Sequence, residues 1–357
     1  MIIMDYVLDY SEINKSFLNR VGGKNANLGE MINKGIRIPP GFAVTTDSYL
    51  LFLDRAGIGK EIFKLLAGID LSKNVMLNDI SAQVREMIAA YSVPAEVEEE
   101  VLKRYELLCE KCGDKETPVA VRSSATAEDL PTASFAGQQD TYLWVRGKEE
   151  VIDAVRRCWA SLFTSRAISY RANNNFPHDK VLISVGVQKM VNARSAGVLF
   201  TINPSTGDPS QVIIEGSWGL GEAVVSGNVN PDYFMVDKIL KDIHCRKIAC
   251  KTIECLPCSE GRGVEEIDID PERQTVPCLE DKEIIELVTI SRLIEDHYGY
   301  PQDIEWAIEK DLPFPENIFI LQNRPETVWS QKKRENLLEK KSSRDLLLER
   351  ATKIIRL

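Results

Sequence analysis

Apolar, β-branched residues interleave with polar ones in Asp303-Ile304-Glu305-Trp306-Ala307 and again in Ile318-Phe319-Ile320-Leu321-Gln322-Asn323-Arg324-Pro325. Both segments predict strands, and the proline- and asparagine-bearing stretch 311–317 between them predicts the turn of a hairpin. Residues two apart on a strand share a face, so Asp303 and Glu305 point one way, and Gln322 and Arg324 also share a face. Turned toward one cleft, they would offer a carboxylate and an amide oxygen to a hard cation and a guanidinium to a phosphate. The same alternation also suits an ordinary surface hairpin.

Upstream, Val21-Gly22-Gly23-Lys24 reads as a glycine turn opening a helix that ends at Gly35. Pro39-Pro40-Gly41 leads into a short strand over 42–45 and another helix from Thr46, and residues 58–112 read as mostly helical. From Pro118 strands dominate, over 119–122, 141–145, 181–191, 196–201 and 212–215, with one helix over 148–173 and another over 281–298. Helices and strands interleave without a regular βαβ rhythm, which predicts an α+β fold rather than a doubly wound sheet. Leucines and isoleucines at near-helical spacing over 330–357 predict an amphipathic C-terminal helix, packed on its own domain or docked to another subunit.

Composition narrows the function. A chain of 357 residues is long enough for two or three lobes with cores of their own. The net charge of −10 supplies no basic excess to replace counterions along a nucleic acid, so no nucleic-acid partner is expected. The charge is uneven: residues 330–357 hold nine Lys or Arg against four Asp or Glu, a net of +5, leaving −15 for residues 1–329. The N-terminus lacks the charged and apolar regions of a signal peptide, and no apolar run approaches a membrane span, so a cytoplasmic protein is expected. Among eight cysteines, Cys109-x-x-Cys112 and Cys255-x-x-Cys258 have metal-ligand spacing, and Cys245, Cys250, Cys255 and Cys258 fall within fourteen residues beside His244. The helical setting of the first pair and the strand-like setting of Cys245 favour free thiols over zinc or a redox pair.

Two further stretches carry chemistry. Lys24 follows two glycines at a helix start, where free amides and the helix dipole attract anions, although a solvated lysine is the commoner case. It does not belong to a Walker A loop, because G-x-x-x-x-G-K-[ST] occurs nowhere in the chain. Arg122 ends an apolar strand and opens into a loop of small and hydroxyl-bearing residues running to Thr141. Small side chains let backbone amides approach phosphate oxygens, which makes this stretch a candidate phosphate clamp. Gly216-Ser217-Trp218-Gly219-Leu220-Gly221-Glu222 lacks the third glycine of a dinucleotide fingerprint and reads as a tight turn supporting the cleft. None of the three histidines, His178, His244 and His297, stands in an activating context, and His297 reads as structural.

Taken in order, VGGKNANLGEM, PPGFAVT, VAVRSSATAEDLPTASFAGQQDTYL, VQKMV, GLGEAVVSG, YGYPQDIEWA and ILQNRPET resemble the nucleotide-binding domain of phosphoenolpyruvate synthase, pyruvate phosphate dikinase and rifampicin phosphotransferase over about residues 14–328. The resemblance implies an ATP-grasp-type fold, with an N-terminal lobe (1–190) and a C-terminal lobe (191–328) closing on Mg-ATP, followed by the basic segment 329–357. It also implies roles for single residues. Lys24 and Arg122 match the family's phosphate-contacting lysine and arginine, and Arg324 its catalytic arginine. Gly137 and Thr141 flank the phosphate loop, and Gln188 lies in the segment beside the adenine. Glu305 and Gln322 match the Mg2+-binding pair. The family's phosphohistidine motif, T-x-x-S-H, is absent from these residues. The chain is therefore expected to bind ATP and to phosphorylate a histidine on a partner subunit, as in the split arrangement of phenylphosphate synthase. A nucleotide-sensing scaffold and an excised dikinase domain are the alternatives.

Overall fold

The computed structural model describes residues 5–67, 69, 74–126, 129–130, 133–134 and 140–329. Gly137 and the predicted helix over 330–357 lie outside the described residues.

In chain order, the first part comprises β1 (Val7–Asp9), α1 (Leu18–Asn33), β2 (Gly41–Val44), α2 (Thr46–Ala56), α3 (Gly59–Ala67), α4 (Asn74–Ala89) and α5 (Ala95–Cys112). It continues through β3 (Val119–Ala125), the short pair β4 (Asp129–Leu130) and β5 (Ala133–Ser134), β6 (Thr141–Val145), α6 (Lys148–Ser161), α7 (Ser165–Asn173) and β7 (Ile183–Lys189). Five of these strands form an antiparallel sheet in the order β1-β2-β7-β3-β6. The single helix expected over 148–173 is two helices. The break comes at residues 162–164, where the Thr164 side chain accepts a hydrogen bond from the Ala167 amide at 3.2 Å and restarts the helix as an N-cap.

The second part comprises β8 (Ala193–Phe200), β9 (Gln211–Trp218), α8 (Glu222–Val225), β10 (Asp232–Asp237), β11 (Ile243–Lys247), the hairpin β12 (Ile253–Pro257) and β13 (Val264–Asp268), α9 (Asp281–Tyr298), β14 (Gln302–Glu309) and β15 (Ile318–Pro325). Its six-stranded sheet runs β11-β10-β9-β8-β14-β15, also antiparallel throughout. The bounds of α9 are chemical: Glu280 and Glu283 form a reciprocal capping box at its start, and Gly299 in the left-handed region ends it. The fold is thus a mixture of helices and antiparallel sheets, as the irregular rhythm of the sequence predicts.

Two large cores result. Under the five-stranded sheet, helices α2 to α6 bury Phe52, Tyr49 and Trp159, the last ringed by the first two at centroid distances of 5.0 and 6.2 Å. Under the six-stranded sheet, α9 packs with Trp306, Ile304 and Leu199. The N-terminal segment joins this second core through Tyr10, Ile13, Val21 and Met31, so α1 lies along the seam between the sheets. Burial of each such side chain stabilises the fold by roughly 1.5–3 kcal/mol.

Among the described residues, one ion pair is wholly inside. Lys251 Nζ donates to Asp232 Oδ1 at 2.6 Å with both side chains 0% exposed. Asp232 also accepts from the backbone amides of Ala249 and Cys278, which fills its lone pairs and makes the buried charge tolerable. The eight cysteines are free thiols, and Cys109 and Cys112 share α5 as the helical pattern predicts. No group of three or more His, Cys, Asp or Glu side chains converges as metal ligands among the described residues. No helix among the described residues is long and apolar enough to cross a membrane.

Candidate functional site

The hairpin of β14 and β15 pairs Glu305 directly with Gln322, and Asp303 with Arg324, with a bulge just after Glu305. Directly opposed residues in an antiparallel pair have Cβ atoms about 5 Å apart, so the carboxylate and the amide reach the same point in space. Arg324 Nε donates to Asp303 Oδ2 at 2.7 Å. Burial raises the Asp303 carboxyl pKa even though the Arg324 guanidinium pulls it down. The face of β14 that carries Glu305 continues through Ala307. The opposite face, with Ile304, Trp306 and Ile308, goes into the core on α9.

The five-stranded sheet presents a matching face. On β3, Ala120, Arg122 and Ser124 point one way, while Val119, Val121 and Ala125 point into the helical core. Their partners on β7 are Gln188, Gly186 and Ser184, and Arg122 pairs with Thr141 on β6. The start of α1 lies on this face. Its helical run is broken at Gly22 (φ 71°, ψ 170°), a conformation essentially reserved for glycine. A Cβ at Gly22 would lie 2.3 Å from the Ser124 carbonyl oxygen, so the chain here touches β3 directly. That contact delivers the next lysine to the sheet, and Lys24 Nζ donates to the Ser123 carbonyl at 3.3 Å.

Arg122 links the two sheets. Its guanidinium lies 3.9 Å from the Glu305 carboxylate and donates to the Leu321 carbonyl at 3.5 Å. Its Nε is buried and has no hydrogen-bond partner among the described residues. A buried guanidinium N–H without an acceptor is costly, and an anion in the space before it would satisfy it.

That space is a cavity of about 570 Å³ between the sheets, within the range of small-molecule sites. It is lined by Lys24, Arg122, Thr141, Gln188, Glu305, Gln322 and Arg324, so seven of the eight residues expected from the sequence converge on it. The eighth, Gly137, is outside the described residues. The lining is graded. Moving two residues, about 7 Å, along β3 from Arg122 reaches Ala120, and the same step along β14 from Glu305 reaches Ala307. Around these small residues stand Met190, Val191, Leu220 and Leu143, making one end charged and the other apolar. Gln188 pairs with Ala120 and therefore belongs to the apolar end. Tyr142 also lines the cavity; burial pushes its phenol up to about 12, so it stays a neutral donor, here to Asp140 at 3.1 Å. The apolar lining was not foreseen residue by residue, because it comes from five segments separated in sequence. The one local signal was the turn at Gly219, read only as support for a cleft.

The three histidines are elsewhere. His178 Nδ1 accepts from Arg171 Nε at 2.9 Å, His297 lies 2.8 Å from Glu30, and His244 is on β11. None lines the cavity.

Comparison with known proteins places this geometry in a family. The pyruvate phosphate dikinase, AMP/ATP-binding domain family matches residues 18–345. The probable phosphoenolpyruvate synthase of Staphylothermus marinus is 47% identical over 94% of this chain and 43% of its own length. That of Methanothermobacter thermautotrophicus is 44% identical over 97% of the chain and 49% of its own. The phosphoenolpyruvate synthase of Pyrococcus furiosus is 42% identical over 90% and 44%. The chain thus spans about half the length of the curated relatives it matches. A solved dinucleotide-forming acetyl-coenzyme A synthetase 1 of Ca. Korarchaeum cryptofilum aligns over 68% of this chain and 90% of its own with a TM-score of 0.31 and 12% identity, too slight a likeness to carry an argument. The family match over most of its length, together with relatives this similar, establishes that the chain belongs to the pyruvate phosphate dikinase AMP/ATP-binding domain family.

Proposed function

We propose that the cavity binds Mg-ATP between two ATP-grasp-type lobes, residues 1–190 and 191–328, and that the chain uses the nucleotide to phosphorylate a histidine outside these 357 residues. ATP becomes AMP and phosphate over the full cycle, in a phosphoenolpyruvate synthase-like or phenylphosphate synthase-like reaction. The observation that carries this reading is the convergence of Lys24, Arg122 and Arg324 with the opposed Glu305 and Gln322 in one cavity whose far end is apolar. A triphosphate suits the charged end and a purine the apolar end.

Glu305 and Gln322 fit a magnesium ion, which takes one or two protein oxygens and completes its shell with phosphate oxygens and water. The ion would supply charge neutralisation on the phosphates there. The side chains do the rest. Lys24 and Arg122 hold phosphate oxygens from the first sheet, and Arg324 does so from the second, with Asp303 fixing its guanidinium at 2.7 Å. A loose phosphoryl-transfer transition state needs this alignment and charge more than it needs a nucleophile from the chain. The acceptor histidine comes from a domain beyond these residues, since His178, His244 and His297 are all engaged or placed away from the cavity.

The test supplies the chain with a histidine-bearing domain from a phosphoenolpyruvate synthase and measures AMP release and phosphohistidine. Glu305→Ala should lower both by about a hundredfold or more. Turnover that survives this substitution would sink the catalytic assignment.

A further inference from the structure

After the break at Gly22, the next turns of α1 carry Asn25 and Asn27, with Lys24 just before them. Residues two apart on a helix leave it about 200° apart, so the two amides face nearly opposite directions. Asn25 faces the five-stranded sheet and is 2% exposed. Its Nδ2 donates to Ser184 Oγ at 3.1 Å and to the Val21 carbonyl at 3.0 Å, and its Oδ1 accepts from the Tyr10 hydroxyl at 3.3 Å. Its backbone amide donates to Ser124 Oγ at 3.4 Å. The amide sits so close to β7 that a Cβ at Gly186 would be 2.4 Å from its Oδ1.

Asn27 faces the other sheet. Its Nδ2 donates to the Asn323 carbonyl at 3.3 Å, and its Oδ1 accepts from the Tyr298 hydroxyl at 3.2 Å. Asn323 stands on β15 between Gln322 and Arg324, and its own side chain donates to Gln302 Oε1 at 2.8 Å on β14. The carbonyl that Asn27 grips therefore belongs to the peptide joining Asn323 to Arg324, one residue from Gln322.

We propose that Asn25 and Asn27 are positioning residues that fix the phosphate-facing cations of the first sheet against the acid–amide pair of the second. Asn25 sets Lys24 and Arg122 on a common base, and Asn27 ties that base to β15. The proposal rests on reading the cavity as a Mg-ATP site. Its consequence is energetic coupling: metal oxygens from one sheet and phosphate contacts from the other reinforce each other only while the distance between them is held.

The experiment measures ATP affinity of the full chain by calorimetry, with and without Mg2+, for wild type, Asn27→Asp and Tyr298→Phe, along with ligand-free melting. Asn27→Asp keeps the shape and the bond from Tyr298 but removes the N–H donated to Asn323. In wild type, Mg2+ tightens ATP binding. Asn27→Asp is expected to lose about tenfold of that tightening while metal-free affinity stays within about twofold. Tyr298→Phe, which disturbs the same amide from its other side, is expected to shift in the same direction by less. Full retention of the Mg2+-dependent gain, or an equal loss with and without the metal, overturns the proposal. A wild-type chain that binds no ATP overturns the Mg-ATP reading itself, and this proposal with it.

Discussion

Replacing Gly22 with alanine tests whether the start of α1 is pressed onto β3. At φ 71° and ψ 170° a non-glycine residue costs about 1–3 kcal/mol in backbone strain alone. The added Cβ would also lie 2.3 Å from the Ser124 carbonyl oxygen and 2.6 Å from its carbonyl carbon. Restoring ordinary contact moves the helix start by about 1 Å, and such overpacking costs a further ~1–3 kcal/mol. The sum, about 2–6 kcal/mol, is a large part of the roughly 5–15 kcal/mol that stabilises a folded domain. Lys24 moves with the helix start, and a displacement of about 1 Å can cost on the order of a hundredfold in a site that depends on alignment. Urea unfolding followed by tryptophan fluorescence reads the first effect, and calorimetric titration with Mg-ATP reads the second. Ser124→Ala serves as a control: the Cβ would meet Ser124 Oγ at 2.3 Å as well as the carbonyl, so removing Oγ should relieve only part of the Gly22→Ala defect and leave the backbone clash. A variant within about 1 kcal/mol of wild type and with unchanged ATP affinity would refute the contact as a determinant of the site.

Two further outcomes follow from charge and burial. Asp232→Ala should destabilise the chain by about 3–5 kcal/mol because it strands Lys251 inside, whereas Asp232→Leu with Lys251→Met removes the stranded charge and should cost less, the remaining loss coming from the Ala249 and Cys278 amides left without their acceptor; denaturant midpoints decide. Burial raises the Glu215 carboxyl pKa above its usual 4.5, so the folded state disfavours the ionised form. Stability from this group is complete below the unfolded value and is lost as pH rises through the folded one. Glu215→Gln should therefore unfold at higher urea than wild type at neutral pH, with the gap closing toward about pH 4; a gap that is constant with pH contradicts the assignment.

Much of this was legible in the sequence because strands write their faces in steps of two. Asp303 with Glu305, and Gln322 with Arg324, fall on shared faces by parity alone, but that Glu305 stands opposite Gln322 was implied only by the family resemblance, because register depends on the length of the turn and on the bulge after Glu305. The bounds of α9 were equally plain, since Glu280, Glu283 and Gly299 are local signals. The break at residues 162–164 was not, because a helix of continuous amphipathic pattern gives no warning of a threonine cap. Neither was the depth of the cavity's apolar end. Met190, Leu220 and Ala307 become neighbours only when two sheets are stacked, and no spacing along the chain encodes that. The roles of Asn25 and Asn27 were hidden for the same reason: a helical asparagine looks alike whether it faces water or two sheets.

The burial of Tyr10, Ile13, Val21 and Met31 in the core of the six-stranded sheet bears on how the chain is made. Their partners run from Leu199 to Ile320, so Met31 emerges from the ribosome some 170 to 290 residues before the surface that covers it is complete. At roughly 5–20 residues per second, that is about 10 to 60 s during which the apolar face of α1 lacks the six-stranded sheet that completes its core. The glycine-hinged helix that sets Lys24 in place meets β3 and β7 first and β15 last, so its burial is finished only when the end of the second sheet has been made.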